Sequence, residues 1–170
     1  MQKITHQQLL DWLKKEVKLS LGCTEPIAIA YAAAVAAKYL NAPILKITGN
    51  ISENLYKNAM GVTIPGTSYC GVTLAAAIGA IGGNADADLE VLKDITATQI
   101  TEAYIFNESG NVCLNAVDAT DFIFIDITLY SLSDQCRVVI QGSHTNVTEV
   151  YINNIKQILV RDLIAANDSG

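Results

Sequence analysis

The spacing of apolar residues divides the chain into a mainly helical first part and a strand-rich last third. Through residues 9–17, apolar side chains recur every three to four positions, which predicts a first helix capped by Thr5. Residues 27–40 are largely apolar and rich in alanine, which predicts a buried helix. Further helical patterns run through residues 71–81, 87–96 and 97–105.

A period of two replaces the helical period after residue 111. Residues 112–117, 122–130 and 136–141 predict strands, the last two joined as a hairpin, and residues 44–51 predict an earlier strand. Residues 147–163 begin like a strand and end like a helix. This order predicts an α+β fold in which a helical layer packs on a small antiparallel sheet. Neither a repeat nor a linker divides residues 1–170, so we expect a single lobe.

Composition narrows the classes of function. The chain has 170 residues, 51% hydrophobic content and a formal net charge of −6. The acidic balance argues against a nucleic-acid partner, since phosphate binding needs clustered Lys and Arg. No apolar run reaches the roughly 18 residues that span a bilayer, and no signal-peptide pattern opens the chain, so we expect a cytoplasmic protein. Four cysteines show no metal-ligand spacing, which predicts free thiols and no metal site within the chain.

The segment before the alanine-rich helix carries the first candidate chemistry. Pro26 is suited to the first helical position, which makes Glu25 the expected N-cap. Cys23 then lies two residues before the cap, near the positive end of the helix dipole, where a thiol loses its proton more easily. Glu25 adds a second acid–base group. A small buried residue in a turn explains Cys23 equally well.

Two loops supply further candidates. Asn58 and the Pro65-Gly66-Thr67 turn could present amide groups and a hydroxyl to a carboxylate, although composition alone favours a structural turn. His144, in a loop with Thr145 and Asn146, could orient a substrate or carry protons. A strand-end histidine bonded to the backbone is an even alternative.

Five blocks of residues, taken together, resemble the L-cysteine desulfidase / serine dehydratase alpha-chain-like family. They occur in the family's order between about residues 10 and 147. The blocks are Leu21-Gly22-Cys23-Thr24-Glu25-Pro26, Lys57-Asn58 with Gly61-Val62-Thr63-Ile64-Pro65-Gly66-Thr67, Gly79 with Gly82-Gly83-Asn84-Ala85, Leu89-Glu90-Val91-Leu92-Lys93-Asp94, and Gly142 with His144-Thr145-Asn146.

The resemblance implies a lyase that works without pyridoxal phosphate. Such an enzyme eliminates hydrogen sulfide from L-cysteine, or water from L-serine, to give pyruvate and ammonia, with a [4Fe–4S] cluster as Lewis acid. It implies an acid–base role for Cys23, supported by Glu25. The substrate-binding residues that it implies are Asn58, Gly66, Thr67, His144, Thr145 and Asn146.

The chain departs from this family in length. Family members are considerably longer, and their cluster-binding cysteines lie in a C-terminal half that is absent here. We therefore expect the N-terminal, substrate-side lobe of a longer or split enzyme, with the cluster bound outside this chain and no turnover in isolation. The alternatives are a non-catalytic domain that binds a small amino acid and a purely structural subunit. A homo-oligomer is left open.

Overall fold

A computed structural model describes residues 5–8, 10, 24–160 and 163. The Thr5 hydroxyl accepts a hydrogen bond from the Gln8 N–H at 3.1 Å, and the Gln8 side chain accepts one from the Thr5 N–H at 3.0 Å. This reciprocal pair is a capping box and confirms Thr5 as a helix cap. Most of the helix predicted after Thr5 lies outside the described residues.

Most of the helices precede most of the strands along the chain. The helices are α1 (Thr24–Leu40), α2 (Glu53–Met60), α3 (Val72–Gly82) and α4 (Ala97–Glu108), with a 3₁₀ segment at Ala85–Glu90. The strands are β1 (Lys46–Ser52), β2 (Val112–Val117), β3 (Phe124–Tyr130), β4 (Gln135–Gln141), β5 (Val147–Ile152) and β6 (Ile155–Lys156). The predicted α+β class is confirmed. None of the helices described is long and apolar enough to cross a membrane.

Six strands form one sheet in the order β2-β1-β3-β4-β5-β6. Four of its ladders are antiparallel, as expected, but β1 and β2 are parallel, with Ile47 opposite Val112. The chain between β1 and β2 contains α2, α3 and α4, so β2 can enter the sheet from the same end as β1. The β5–β6 hairpin turns through Asn153 and Asn154, whose φ angles of 50° and 67° suit a two-residue turn.

Helix α1 lies at the centre of the molecule. Every residue from Glu25 to Ala36 is buried, because α1 packs against β3, β4 and β5 on the sheet and against α3 beside it. The prediction of a buried helix is confirmed over residues 25–36, whereas Lys38 and Tyr39 are exposed. On the opposite face of the sheet, Arg137 donates two hydrogen bonds of 2.8 Å to the Asp126 carboxylate.

Helices α1 and α3 approach so closely that only glycine fits between them. A Cβ atom on Gly79 would lie 2.1 Å from the Ala30 carbonyl oxygen, and one on Gly83 would lie 2.9 Å from the Ala34 Cβ. Both pairs advance by four residues in the same direction, so α1 and α3 run parallel. Their N-termini therefore lie on the same side of the molecule.

Two local predictions need correction. The helix predicted over residues 87–96 is instead a short 3₁₀ segment followed by turns, because Asp88 adopts φ 50° and ψ −118°, which no helix tolerates. Helix α1 begins at Thr24, so Glu25 lies in its first turn and is not its N-cap.

Candidate functional site

Glu25 is a buried acid at the start of the central helix. Its side chain is only 9% exposed, and its carboxylate oxygen Oε2 has no hydrogen-bond partner. The N-terminal end of a helix favours negative charge, which helps to explain how a carboxylate is kept there. A buried polar atom without a partner is rare, because it loses its bonds to water without replacement. Such an atom makes Glu25 a candidate for a functional role.

His144 has the same property in the loop that joins β4 to β5. Gly142, with φ +89°, turns the chain out of β4, and its N–H donates to the Ile123 carbonyl at 3.0 Å. The His144 Nε2 atom is buried and has no partner. Within the described part of the chain, Glu25 and His144 are the two residues with a buried, unpartnered side-chain nitrogen or oxygen. The sequence had predicted both as site residues.

Thr145 and Asn146 line a cavity of about 340 Å³ together with Tyr31, Lys38 and Asp86. The Lys38 ammonium forms an ion pair with the Asp86 carboxylate, and both side chains are largely exposed. The cavity therefore offers one positive and one negative group beside a hydroxyl and an amide. These groups match the charges of a free amino acid.

Tyr31 forms part of the wall of this cavity from the face of α1. Burial raises the pKa of the Tyr31 phenol, and the charges of Asp88 and Asp86 and a hydrogen bond with Asp88 raise it further. Because Asp88 lies in a backbone region that side chains rarely adopt, the loop stores strain beside the cavity.

Gly66 and Thr67 line a second groove, against the start of α4. The Gly66 φ of +84° fits the predicted type II turn. The Thr67 hydroxyl donates to the Ile64 carbonyl at 2.9 Å and accepts from the Tyr69 N–H at 3.0 Å, so it is engaged within its own loop. Substrate binding by Gly66 and Thr67 stays a prediction.

The last two predicted site residues are Asn58 and Cys23. Asn58 is exposed on α2. Cys23 and the two residues before it lie outside the described residues, so its acid–base role stays a prediction. Because α1 and α3 begin on the same side, the first turn of α1 lies on the side of the loop that precedes α3.

Two of the three described cysteines, Cys113 and Cys136, cannot bind one iron–sulfur cluster together. Cys113 pairs with Thr48 and Cys136 with Leu129, positions that face opposite sides of the sheet. Burial raises the pKa of the Cys136 thiol to about 11, which disfavours the thiolate that a metal needs. In the described ranges, no group of three or more His, Cys, Asp or Glu residues is placed to hold a metal ion.

Comparison with known proteins finds relatives that bear the name UPF0597 protein. The one from Klebsiella pneumoniae is 54% identical over 150 residues, which is 88% of this chain and 35% of the relative. Those from Photobacterium profundum and Shewanella sediminis are 44% and 45% identical over 86% of this chain, and 34% and 35% of the relatives. The chain spans about a third of the length of these curated relatives. No family model and no solved structure matches it.

This finding corrects the resemblance to the L-cysteine desulfidase / serine dehydratase alpha-chain-like family. The matching relatives carry the name UPF0597 protein, which states no reaction, so the assignment to that family is wrong. Several of the residues that suggested it have structural roles. Gly66 forms a turn, and Gly79 and Gly83 allow two helices to touch.

Sequence reasoning missed Tyr31, Lys38, Asp86 and Asp88. They come from two elements almost fifty residues apart, so no local motif joins them. The one available signal was the spacing of Tyr31 and Lys38, which are seven residues apart and thus lie on one face of the helix.

Proposed function

We propose that this chain is the substrate-side part of a lyase that acts on a small amino acid. The reaction removes the α-proton and expels the group on the β-carbon, as hydrogen sulfide from L-cysteine or as water from L-serine. The enamine that remains becomes an imine, and a water molecule hydrolyses the imine to pyruvate and ammonia. The observation that supports it is the pair of buried atoms without partners, Glu25 Oε2 and His144 Nε2. An elimination needs a group that accepts a proton and a group that donates one.

In this proposal Glu25 supports removal of the α-proton, together with the thiol of Cys23 two residues earlier. His144 donates the proton that the leaving sulfur or oxygen takes up as its bond to the β-carbon breaks. Thr145 and Asn146 orient the amino acid beside His144. Each proton transfer proposed here is assigned to side chains of this chain.

Exchange of the α-proton with solvent tests the proposal without requiring the complete elimination. L-serine is incubated with the chain in D₂O, and the loss of its Cα–H signal is followed by NMR. We expect exchange with the unaltered chain and its loss in Glu25→Gln. Glu53→Gln is the matched control, because Glu53 also lies in the first turn of a helix but is exposed.

Equal exchange in Glu25→Gln and Glu53→Gln would refute the role of Glu25. No exchange by this chain or by the intact Klebsiella pneumoniae relative, combined with measurable binding of L-serine, would refute the lyase in favour of the second candidate.

The second candidate is a non-catalytic module that binds a small amino acid. The observation that favours it is the cavity in which Lys38 and Asp86 can pair with the carboxylate and ammonium of such a ligand. Calorimetry with L-cysteine and L-serine tests it. Binding that is lost in Lys38→Ala, without α-proton exchange in any variant, would support this module.

We also propose a cytoplasmic location and a need for further polypeptide in the active enzyme. The location follows from the expected free thiols, since a reducing compartment keeps them unpaired. The further polypeptide is suggested by the relatives, which are nearly three times as long as the part they share with this chain.

A further inference from the structure

Strand β2 forms an open edge of the sheet. Among the residues that the structure describes, β2 pairs with β1 on one side and with no strand on the other. The opposite edge is β6, which is only two residues long and includes Lys156, and both features protect an edge from further pairing. Strand β2 has six residues, none of which is charged, proline or glycine. It therefore lacks the features that protect an edge strand.

The ladder between β1 and β2 shows which backbone groups of β2 are free. The Ile47 N–H donates to the Asn111 carbonyl at 2.9 Å, and Ile47 is aligned with Val112. Because the backbone groups of alternate residues in a strand point to the same side, those of Val112, Leu114 and Ala116 point away from β1. We call this side of the strand the β2 edge. It presents three N–H donors and three carbonyl acceptors.

The β2 edge is complementary to itself in an antiparallel arrangement. If a two-fold axis passes through Leu114, this residue exchanges two hydrogen bonds with Leu114 of a second copy. Val112 of each copy then exchanges two hydrogen bonds with Ala116 of the other. Every donor and acceptor of the β2 edge is satisfied in this register. A shift of two residues in either direction would leave the groups of one of these residues without a partner in the strand.

The side chains also suit this register. On the helical side of the sheet, Val112 would cover Ala116 of the second copy, which is exposed in the single chain. On the other side, Cys113 would lie opposite Asn115 of the second copy, and both are exposed and uncharged. The first acidic residue after the strand, Asp118, would lie opposite the neutral turn before β2 of the second copy. Like charges therefore do not meet across the strands.

We propose that two copies of this chain associate through the β2 edge, so that their sheets join into one continuous sheet. A partner strand needs a free side of its own and a neutral sequence, and in the described part of the chain β2 meets both needs. A closed two-fold contact is also the commonest arrangement of identical subunits. The association does not depend on the proposed reaction. An extended segment of another protein is the competing occupant.

Sedimentation equilibrium tests the association. The unaltered chain should form a species of twice its own mass that dissociates on dilution, because the contact is confined to one strand. Ala116→Pro should remain a monomer with an unchanged urea midpoint, since the lost N–H points away from β1 and makes no bond within the chain. A monomer at every concentration up to about 1 mM would overturn the proposal. A dimer of Ala116→Pro that is as stable as that of the unaltered chain would also overturn it.

Disulfide trapping tests the register without weakening the strand. In the proposed pair, Asn115 lies opposite Cys113 of the second copy at a Cα–Cα distance of about 4.5 Å, which a disulfide can span. Mild oxidation of Asn115→Cys should therefore give a covalent dimer whose bridge joins positions 113 and 115, as identified by mass spectrometry. The matched control is Asn115→Cys combined with Cys113→Ser, which should give no such dimer. A non-covalent dimer that forms no bridge between these positions, or equal cross-linking in the control, would refute the β2 contact.

Discussion

Substitution of Gly79 by alanine tests the central packing of the fold. The added methyl group would lie 2.1 Å from the carbonyl oxygen and 2.5 Å from the Cα of Ala30, whereas ordinary contact begins near 3.4 Å. Both atoms belong to the backbone of a helix, so neither can rotate away. Helices α1 and α3 must therefore move apart by about 1 Å.

The expected size of the effect follows from two opposing contributions. Alanine favours a helix over glycine by about 1 kcal/mol. A separation of about 1 Å removes roughly a quarter to a half of the dispersion energy of every contact along the interface, so overpacking here costs about 3 kcal/mol. The net loss in the free energy of unfolding is about 2 kcal/mol, which moves the urea midpoint by about 1 M.

Urea denaturation followed by circular dichroism measures this loss. Gly61→Ala is the matched control, because a Cβ at Gly61 has no neighbour within 4 Å and its φ of −92° suits alanine. We expect the control to unfold close to the unaltered chain. If Gly79→Ala were as stable as Gly61→Ala, the parallel contact between α1 and α3 would be refuted.

Three further substitutions test other features. Asp88→Gly should be more stable than Asp88→Ala by about 1–2 kcal/mol in urea unfolding, because glycine adopts φ 50° with ψ −118° more easily than alanine does, and both variants lose the same side chain. Equal stabilities would argue against strain. Burial raises the pKa of the Cys136 thiol from 9.0 to about 11. The contribution of this thiol to the free energy of unfolding is therefore complete below pH 9 and is lost as the pH rises through 11. Cys136→Val should remove that part of the pH dependence of stability. Arg137→Lys should lower the free energy of unfolding by about 1 kcal/mol, because lysine cannot make both bonds to Asp126; no change in calorimetry would contradict this.

Local sequence patterns predicted the helices and strands whose side chains are evenly buried or alternate regularly between buried and exposed. Helix α1 is covered on every face from Glu25 to Ala36, and its alanine-rich composition was enough to predict that it is buried. The β3–β4 hairpin followed from alternation and a turn. The parallel pairing of β1 with β2 was not predictable, because its partners are more than sixty residues apart and no local pattern records their register. The break at Asp88 was hidden by the helix-like spacing of its apolar neighbours.

The residues of the candidate site likewise fall into those that the sequence predicted and those that only the structure revealed. Glu25 and His144 were predicted because each lies in a loop or helix start whose sequence is locally unusual. Their shared lack of a partner is a property of burial and needed coordinates. Lys38 and Asp86 meet only because the segment after α3 crosses over α1, so their pairing depends on the whole fold.

The all-round burial of α1 also has a consequence for biosynthesis. This helix leaves the ribosome early, yet strand β4, which covers it, ends at Gln141, about one hundred residues later. At translation rates of about 5–20 residues per second, its alanine- and isoleucine-rich surface stays uncovered for roughly 5 to 20 seconds. Nascent chains of this protein should therefore bind chaperones that recognise apolar segments, and release from them should follow completion of β4.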